Sequence, residues 1–191
     1  MDHKLQVLAT KLNLSTAQLQ QLMQGSSVVK YKKGSFLMQN GELAHQLGFI
    51  IKGALRTFTI NQEGEDISFL LQVDGDFFGD YECFLNGVKS VWELQATATT
   101  EVVLIEKQQL YDLMDQDPFW IGFYKQVADI CFLEAKRRIE ELLFYTYEQR
   151  YLNLLTNRPK VIEKIPQKYI ASYLGITTQS LSRIKSRILL T

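Results

Sequence analysis

Residues 166–188 read PQKYIASYLGITTQSLSRIKSRI, and the rest of the chain is understood from this stretch outward. Pro166 opens a helix over residues 167–173, with Ile170 and Leu174 inward and Ala171 small enough for a close helix crossing. Leu174, Gly175 and Ile176 make a tight turn whose glycine is free to take positive φ. Thr177 is placed to cap a second helix, residues 178–189, whose inner face is Leu181, Ile184 and Ile188. Two helices joined by a short glycine-containing turn are a helix-turn-helix. The N-terminal part of the second helix of such a motif enters the major groove of DNA. Its outer face here carries Thr178, Gln179, Ser182, Arg183, Lys185 and Arg187. Gln179 can pair with adenine and Arg183 can fork onto guanine, while the hydroxyls of Thr177, Thr178 and Ser180 can reach base edges or phosphate. Gln167 and Lys168, at the head of the first helix, complete the candidate DNA-binding set. A plain helical hairpin would explain the packing but not the cation-bearing outer face.

Charge separates the same region from the rest. The formal net charge of the 191-residue chain is zero, yet from Arg158 onward seven basic residues stand against one acid. The preceding part carries 14 basic and 20 acidic residues. A basic tail on an acidic body is the electrostatic layout of a nucleic-acid reader attached to a regulatory part.

Upstream, residues 4–24 read as helical, with Leu5, Leu8 and Leu12 on one stripe and Ser15 as N-cap of a second short helix. From Val28 to Ile105 the period changes to short β-rich runs separated by Lys33-Gly34, Asn40-Gly41, Lys52-Gly53, Asp74-Gly75-Asp76 and Asn86-Gly87. The runs are 28–31, 36–38, 48–51, 54–60, 67–71, 92–99 and 102–105. Closely spaced short strands with such turns predict a β-barrel or jelly-roll-like sandwich. Residues 107–115 predict a short helix leading into a long one.

That long helix starts at Asp117-Pro118 and runs to about Tyr145. Its apolar residues, Phe119, Trp120, Phe123, Tyr124, Val127, Ala128, Ile130, Cys131, Phe132 and Leu133, cover more than half of its circumference. One contact surface needs a narrower stripe. The second surface is either another copy of the chain or more of the same chain, and pattern alone leaves both open. Thr146 and Gln149 fit a capping box that starts a new helix over residues 148–155, which Asn157-Arg158-Pro159 stops.

Composition narrows the chemistry. No apolar run approaches the roughly 20 residues of a membrane span, and Met1-Asp2-His3-Lys4 lacks the shape of a secretory signal. Two cysteines, Cys83 and Cys131, are too few for a disulfide framework, which fits a reducing cytoplasm. Two histidines, His3 and His45, lie far apart, so neither a His-rich metal centre nor a cupin-type enzyme is expected. No catalytic residues and no metal ligands are assigned.

With these elements in order, the chain resembles the CRP/FNR family of bacterial transcription regulators over nearly its whole length. The marks are Lys33-Gly34, Gly41-Glu42, Phe49-Ile50-Ile51-Lys52-Gly53, Gly64-Glu65, Gly75-Asp76-Phe77-Phe78-Gly79, Thr99-Thr100-Glu101-Val102 and the Leu174-Gly175-Ile176-Thr177 turn. The resemblance implies an α+β fold: an N-terminal double-stranded β-roll with flanking helices (1–116), a long dimerisation helix (117–145) and an all-α helix-turn-helix domain (146–191). It implies a homodimer paired through Phe119, Trp120, Phe123, Tyr124, Val127, Ile130, Cys131 and Glu134, a palindromic double-stranded DNA site, and a partner such as RNA polymerase. Base contacts fall on Thr178, Gln179 and Arg183.

The departures from the family lie in its nucleotide pocket. Members that bind cyclic AMP use a Gly-Glu pair on the ribose, which here is Gly79-Asp80, with Glu82 close behind. Their Arg-Ser pair on the cyclic phosphate falls on Ser90-Val91, so the phosphate's cationic partner is missing. Lys89, one position earlier, is no bidentate fork. The hydroxyls that meet adenine fall on Ala135 and Lys136. A buried phosphodiester without its arginine is poorly compensated, so weak or no cyclic-nucleotide binding is expected. The given sequence ends at Thr191 without the β-hairpin wing that usually follows the recognition helix, from which fewer phosphate contacts and a shallower salt dependence are expected. The competing reading is a cyclic-nucleotide-binding module whose helical tail docks a protein.

Overall fold

The computed structural model describes residues 5–188, so His3, Lys4 and the expected last residue of the recognition helix, Leu189, lie outside the described residues. Two short helices come first, α1 (Gln6–Leu12) and α2 (Thr16–Gln24). Ser15 caps α2 in a full capping box, its hydroxyl accepting from the Gln18 N–H while the Gln18 side chain accepts from the Ser15 N–H. The roll follows as β1 (Ser27–Tyr31), β2 (Phe36–Met38), β3 (Gln46–Lys52), β4 (Ala54–Ile60), β5 (Asp66–Val73), β6 (Phe77–Phe78), the helix α3 (Tyr81–Asn86), β7 (Glu93–Ala96) and β8 (Thr100–Glu106). The remainder is helical: α4 (Lys107–Gln116), α5 (Phe119–Phe144), α6 (Tyr147–Asn157), α7 (Pro159–Lys164), α8 (Gln167–Leu174) and α9 (Thr178–Ile188).

The strands form two antiparallel four-stranded sheets, in the orders β1-β8-β3-β6 and β2-β7-β4-β5. The apolar run along β3 shows why two sheets need helices on both outer sides. Successive strand residues point to opposite faces, and both faces of β3 are buried. Leu47, Phe49 and Ile51 join the cluster with α1, α2, α4 and the first half of α5, whereas Ile50 joins the core between the sheets. Gly48 has no side chain because the Phe78 ring covers it, and a Cβ there would lie 2.0 Å from that ring.

The second sheet buries its outer face too. Ala54, Leu71 and Val73 share one core with Tyr151, Leu154, Val161, Ile165, Ile170, Leu174 and Leu181 of the C-terminal helices. The helical part is therefore packed directly onto the roll. Strand β5 is an edge, and α8 blunts it: the Ser172 hydroxyl accepts from the Ser68 N–H at 2.8 Å and donates to the Asp66 carbonyl at 2.7 Å.

Several details differ from the sequence expectations. The strand expected over 92–99 ends at Ala96, because the Thr97 N–H and hydroxyl both turn to the Ala54 carbonyl. Pro159 does stop α6, but it also starts α7 by occupying that helix's first turn. The two-residue β6 and the one-and-a-half-turn α3 had no period long enough to read.

Candidate nucleic-acid interface and effector pocket

Helix α8 ends in a Schellman motif. Gly175 takes the left-handed conformation (φ 74°, ψ 34°), its N–H bonds the Ser172 carbonyl, and the Ile176 N–H bonds the Ala171 carbonyl, both at 3.0 Å. This turn fixes the angle at which α9 leaves. Thr177 then caps α9, its hydroxyl accepting from the Ser180 N–H at 3.2 Å and lying 3.1 Å from the Ser180 hydroxyl. Both side chains are occupied in starting the helix. Leu181 and Ile184 are buried beneath α9, while Gln167, Lys168, Thr178, Gln179, Ser182, Arg183 and Arg187 are exposed and Lys185 is half-buried. Arg187 lies 3.7 Å from Glu148 on α6. Among the described residues Arg183 and Lys185 have no ion-pair partner.

Three arginines that the sequence reading did not single out hold this head in place. Arg56, buried on β4, donates from Nη1 to both carboxylate oxygens of Asp66 at 2.6 and 2.7 Å and is sandwiched between the rings of Phe58 (3.6 Å) and Tyr169 of α8 (3.8 Å). Arg138 of α5 lies 3.7 Å over the Tyr173 ring and bonds the Tyr173 carbonyl. Arg150 of α6 donates to the carbonyls of Leu142, Tyr145 and Leu174, tying the last turn of α5 to the end of α8. An arginine on a strand or on an amphipathic helix reads as a solvated charge, so only tertiary contacts reveal these roles. The junction is completed by ion pairs from Asp74 to Lys164 and from Asp76 to Arg158. Burial pushes the Asp74 carboxyl up, but bonds from Lys164 and the Gly53 N–H and the charges of Lys164 and Lys160 hold it below the usual range.

Helix α5 divides its apolar residues differently from the expectation. Trp120, Phe123 and Val127, expected on a pairing face, are buried in the chain's own core, and Phe119, Tyr124, Ile130 and Cys131 pack against that core. Burial, followed by its bond to Tyr81, raises the Tyr124 hydroxyl pKa, and burial pushes the Cys131 thiol up to about 11. The face left open carries Ile121, Phe132, Ile139 and Leu142, at least 45% exposed each, with Leu143 and Phe144 beside them. Positions 121, 125, 128, 132, 135, 139 and 142 alternate steps of four and three, the spacing of a coiled-coil seam. Ala128 and Ala135 fall on that seam, as does Lys125, which pairs with Asp129.

Between the second sheet and α5 lies a cavity of about 210 Å³. Of the pocket residues expected from sequence, Gly79, Asp80, Glu82 and Ala135 line it. So do two residues first assigned to helix pairing, Cys131 and Glu134. Burial, then the charge of Asp76, raises the Glu134 pKa above the usual carboxylate range. Lys89, Ser90, Val91 and Lys136 do not line it. Ser90 is buried behind the wall, its hydroxyl donating to Asp80 at 2.7 Å and accepting from the Trp92 N–H at 3.0 Å. Lys89 and Val91 are exposed, and Lys136 pairs with Glu140. Among the described residues no group of three or more His, Cys, Asp or Glu is placed to hold a metal ion, and no helix is long and apolar enough to cross a membrane.

Residues 28–117 match the family model of the cyclic nucleotide-binding domain. The chain is 24% identical over 166 residues to the cAMP-activated global transcriptional regulator CRP of Pasteurella multocida, covering 81% of this chain and 79% of that one. Its fold superposes on FixK2 from Bradyrhizobium japonicum with a TM-score of 0.74 at 18% identity, over 86% of this chain and 85% of that one. The c-di-GMP responsive global regulator CLP of Xanthomonas campestris gives 0.68 at 15% identity, over 92% of both chains. At such identities the two structures speak for the fold.

Proposed function

Because the chain belongs to the CRP/FNR family of transcription regulators, we propose that it is a homodimeric, sequence-specific DNA-binding regulator that does not respond to cyclic AMP. The observation that carries the DNA-binding reading is the outer face of α9. Gln179, Ser182 and Arg183 stand exposed on a helix whose inner face and starting angle are fixed by Leu181, Ile184 and the Gly175 turn. Such side chains match base edges in the major groove, whereas Lys185 and Lys168 match phosphates.

The open seam of α5 supports pairing with a second copy. Two-fold pairing along Ile121, Phe132, Ile139 and Leu142 would present two heads to half-sites about 34–36 Å apart, hence a palindromic site. Since Arg138 and Arg150 bind the head to α5, any change in how α5 sits would reposition α9. The pocket argues against cyclic AMP. A phosphodiester entering it would meet the carboxylates of Asp80, Glu82 and Glu134 with no lysine or arginine in the lining. The test is selection of bound fragments from a random duplex library by the purified protein without added nucleotide. Recovery of a palindrome supports the reading; no enrichment, with or without cyclic AMP, overturns it.

A further inference from the structure

We propose that the cavity under α5 binds a small aromatic amine: a flat ring carrying one positive charge. This rests on the reading above that cyclic AMP does not fill this pocket, and it names the class of ligand that would. Three independent features of the cavity agree.

The first is shape and surface. At about 210 Å³ the cavity is smaller than the roughly 300–1,000 Å³ of a drug-sized site, so it suits one or two fused rings. Its walls include Phe69 and Trp92, stacked 4.8 Å apart at 20°, and Phe77, Phe78 and Tyr81. Aromatic walls hold a flat ring by stacking and a cation by the negative ring face.

The second is charge. Asp80, Glu82 and Glu134 line the cavity and none of its lining residues is Lys, Arg or His. Asp80 is engaged with Ser90 and the Cys83 N–H on the wall side. Glu134, on α5, has no ion pair among the described residues. Burial and the charge of Asp76 make its ionised form costly, and the charges of Arg158, Lys11 and Arg137 offset this only in part, so a cationic ligand in the cavity favours the carboxylate where an anionic one would oppose it.

The third is an underused polar group. Gln72 lines the cavity and is 3% exposed, yet its amide has one partner, the Thr57 hydroxyl. An amide has two N–H donors and an acceptor oxygen, which leaves capacity for a polar atom on the ring. The lining also joins parts that must act together. Gln72, Phe69 and Trp92 belong to the roll, whereas Cys131, Glu134 and Ala135 belong to α5, so an occupant bridges the roll to the helix that carries the seam.

Calorimetric titration of the full chain with three ligands of one shape and different charge tests this: tryptamine, tryptophol and indole-3-acetate. The expected order is tryptamine tightest, tryptophol weaker by about tenfold or more, and indole-3-acetate weakest or silent, as one well-placed ionic contact predicts. Glu134→Gln, a nearly isosteric change on an already ordered helix, narrows the gap between tryptamine and tryptophol without abolishing tryptophol binding. Equal affinity for the three ligands, tighter binding of indole-3-acetate, or no heat from any of them overturns the proposal. Fragment selection without ligand is unaffected by that failure, so the DNA-binding reading stands or falls separately.

Discussion

Replacing Arg56 by alanine removes the residue at the centre of the contact between the roll and the DNA-binding head. Three interactions go together: the ion pair from Nη1 to Asp66, the bond from Nε to Gln95 at 3.0 Å, and the sandwich between Phe58 and Tyr169. Breaking a buried ion pair costs about 3–5 kcal/mol. Asp66 is 40% exposed at its side chain, however, and regains water once Arg56 is gone, which removes a good part of that figure. Each stacked face contributes about 0.5–2 kcal/mol. The expected loss is therefore about 2–3 kcal/mol, or roughly 4–12 °C in Tm for a chain of this size, measured by chemical and thermal denaturation. Tyr169 belongs to α8, so a double-mutant cycle with Tyr169→Leu isolates the part that crosses the junction, with an expected coupling of about 1 kcal/mol. A loss below about 0.5 kcal/mol, the range of an ordinary surface change, or zero coupling to Tyr169, would refute this account of the junction.

Phe132→Asp and Ile139→Asp place charge on the open face of α5 and should convert the proposed dimer to folded monomer in analytical ultracentrifugation. Trp120→Ala, buried in the chain's own core, should instead cost about 3–5 kcal/mol of folding stability. The Asp74 carboxyl has a lowered folded pKa, so it contributes stability above the unfolded value of about 3.9 that is lost as pH falls through the folded value. Asp74→Asn should accordingly destabilise at pH 7, and its difference from wild type should shrink below about pH 4. Gly175→Ala should cost about 1–2 kcal/mol for the left-handed backbone alone, since the nearest atom to the new Cβ is Tyr147 Cε1 at 3.9 Å. Gly48→Ala, whose Cβ collides with the Phe78 ring, should cost more, and equal losses would show that the ring yields freely.

Local signals carried the fold well and tertiary ones poorly. The N-cap at Ser15, the capping box at Thr146, the Gly175 turn and the period change near Val28 are local physical chemistry, and each stands in the structure where the sequence places it. On α5 the sequence shows a helix apolar on many sides, but it does not say which stripe the roll takes. The roll takes Trp120, Phe123 and Val127, leaving Ile121, Phe132 and Ile139 outward. The pocket was partly legible. Asp80, Glu82 and Ala135 line it, whereas Ser90 faces into the wall because its hydroxyl satisfies Asp80. Gln72, Phe69 and Trp92 were silent, since a glutamine or an aromatic on a strand reads as ordinary sheet packing.

Once a duplex site is selected, the central claim reduces to whether α9 reads bases. Fluorescence anisotropy of the wild type and of Arg183→Ala against every single-base variant of that site measures it directly. The account predicts that Arg183→Ala loses about 1–3 kcal/mol of discrimination at one base pair in each half-site and keeps the rest of the pattern. Uniform weakening across all variants, with the base preferences intact, would make Arg183 a phosphate contact and contradict the reading of α9 as the recognition helix.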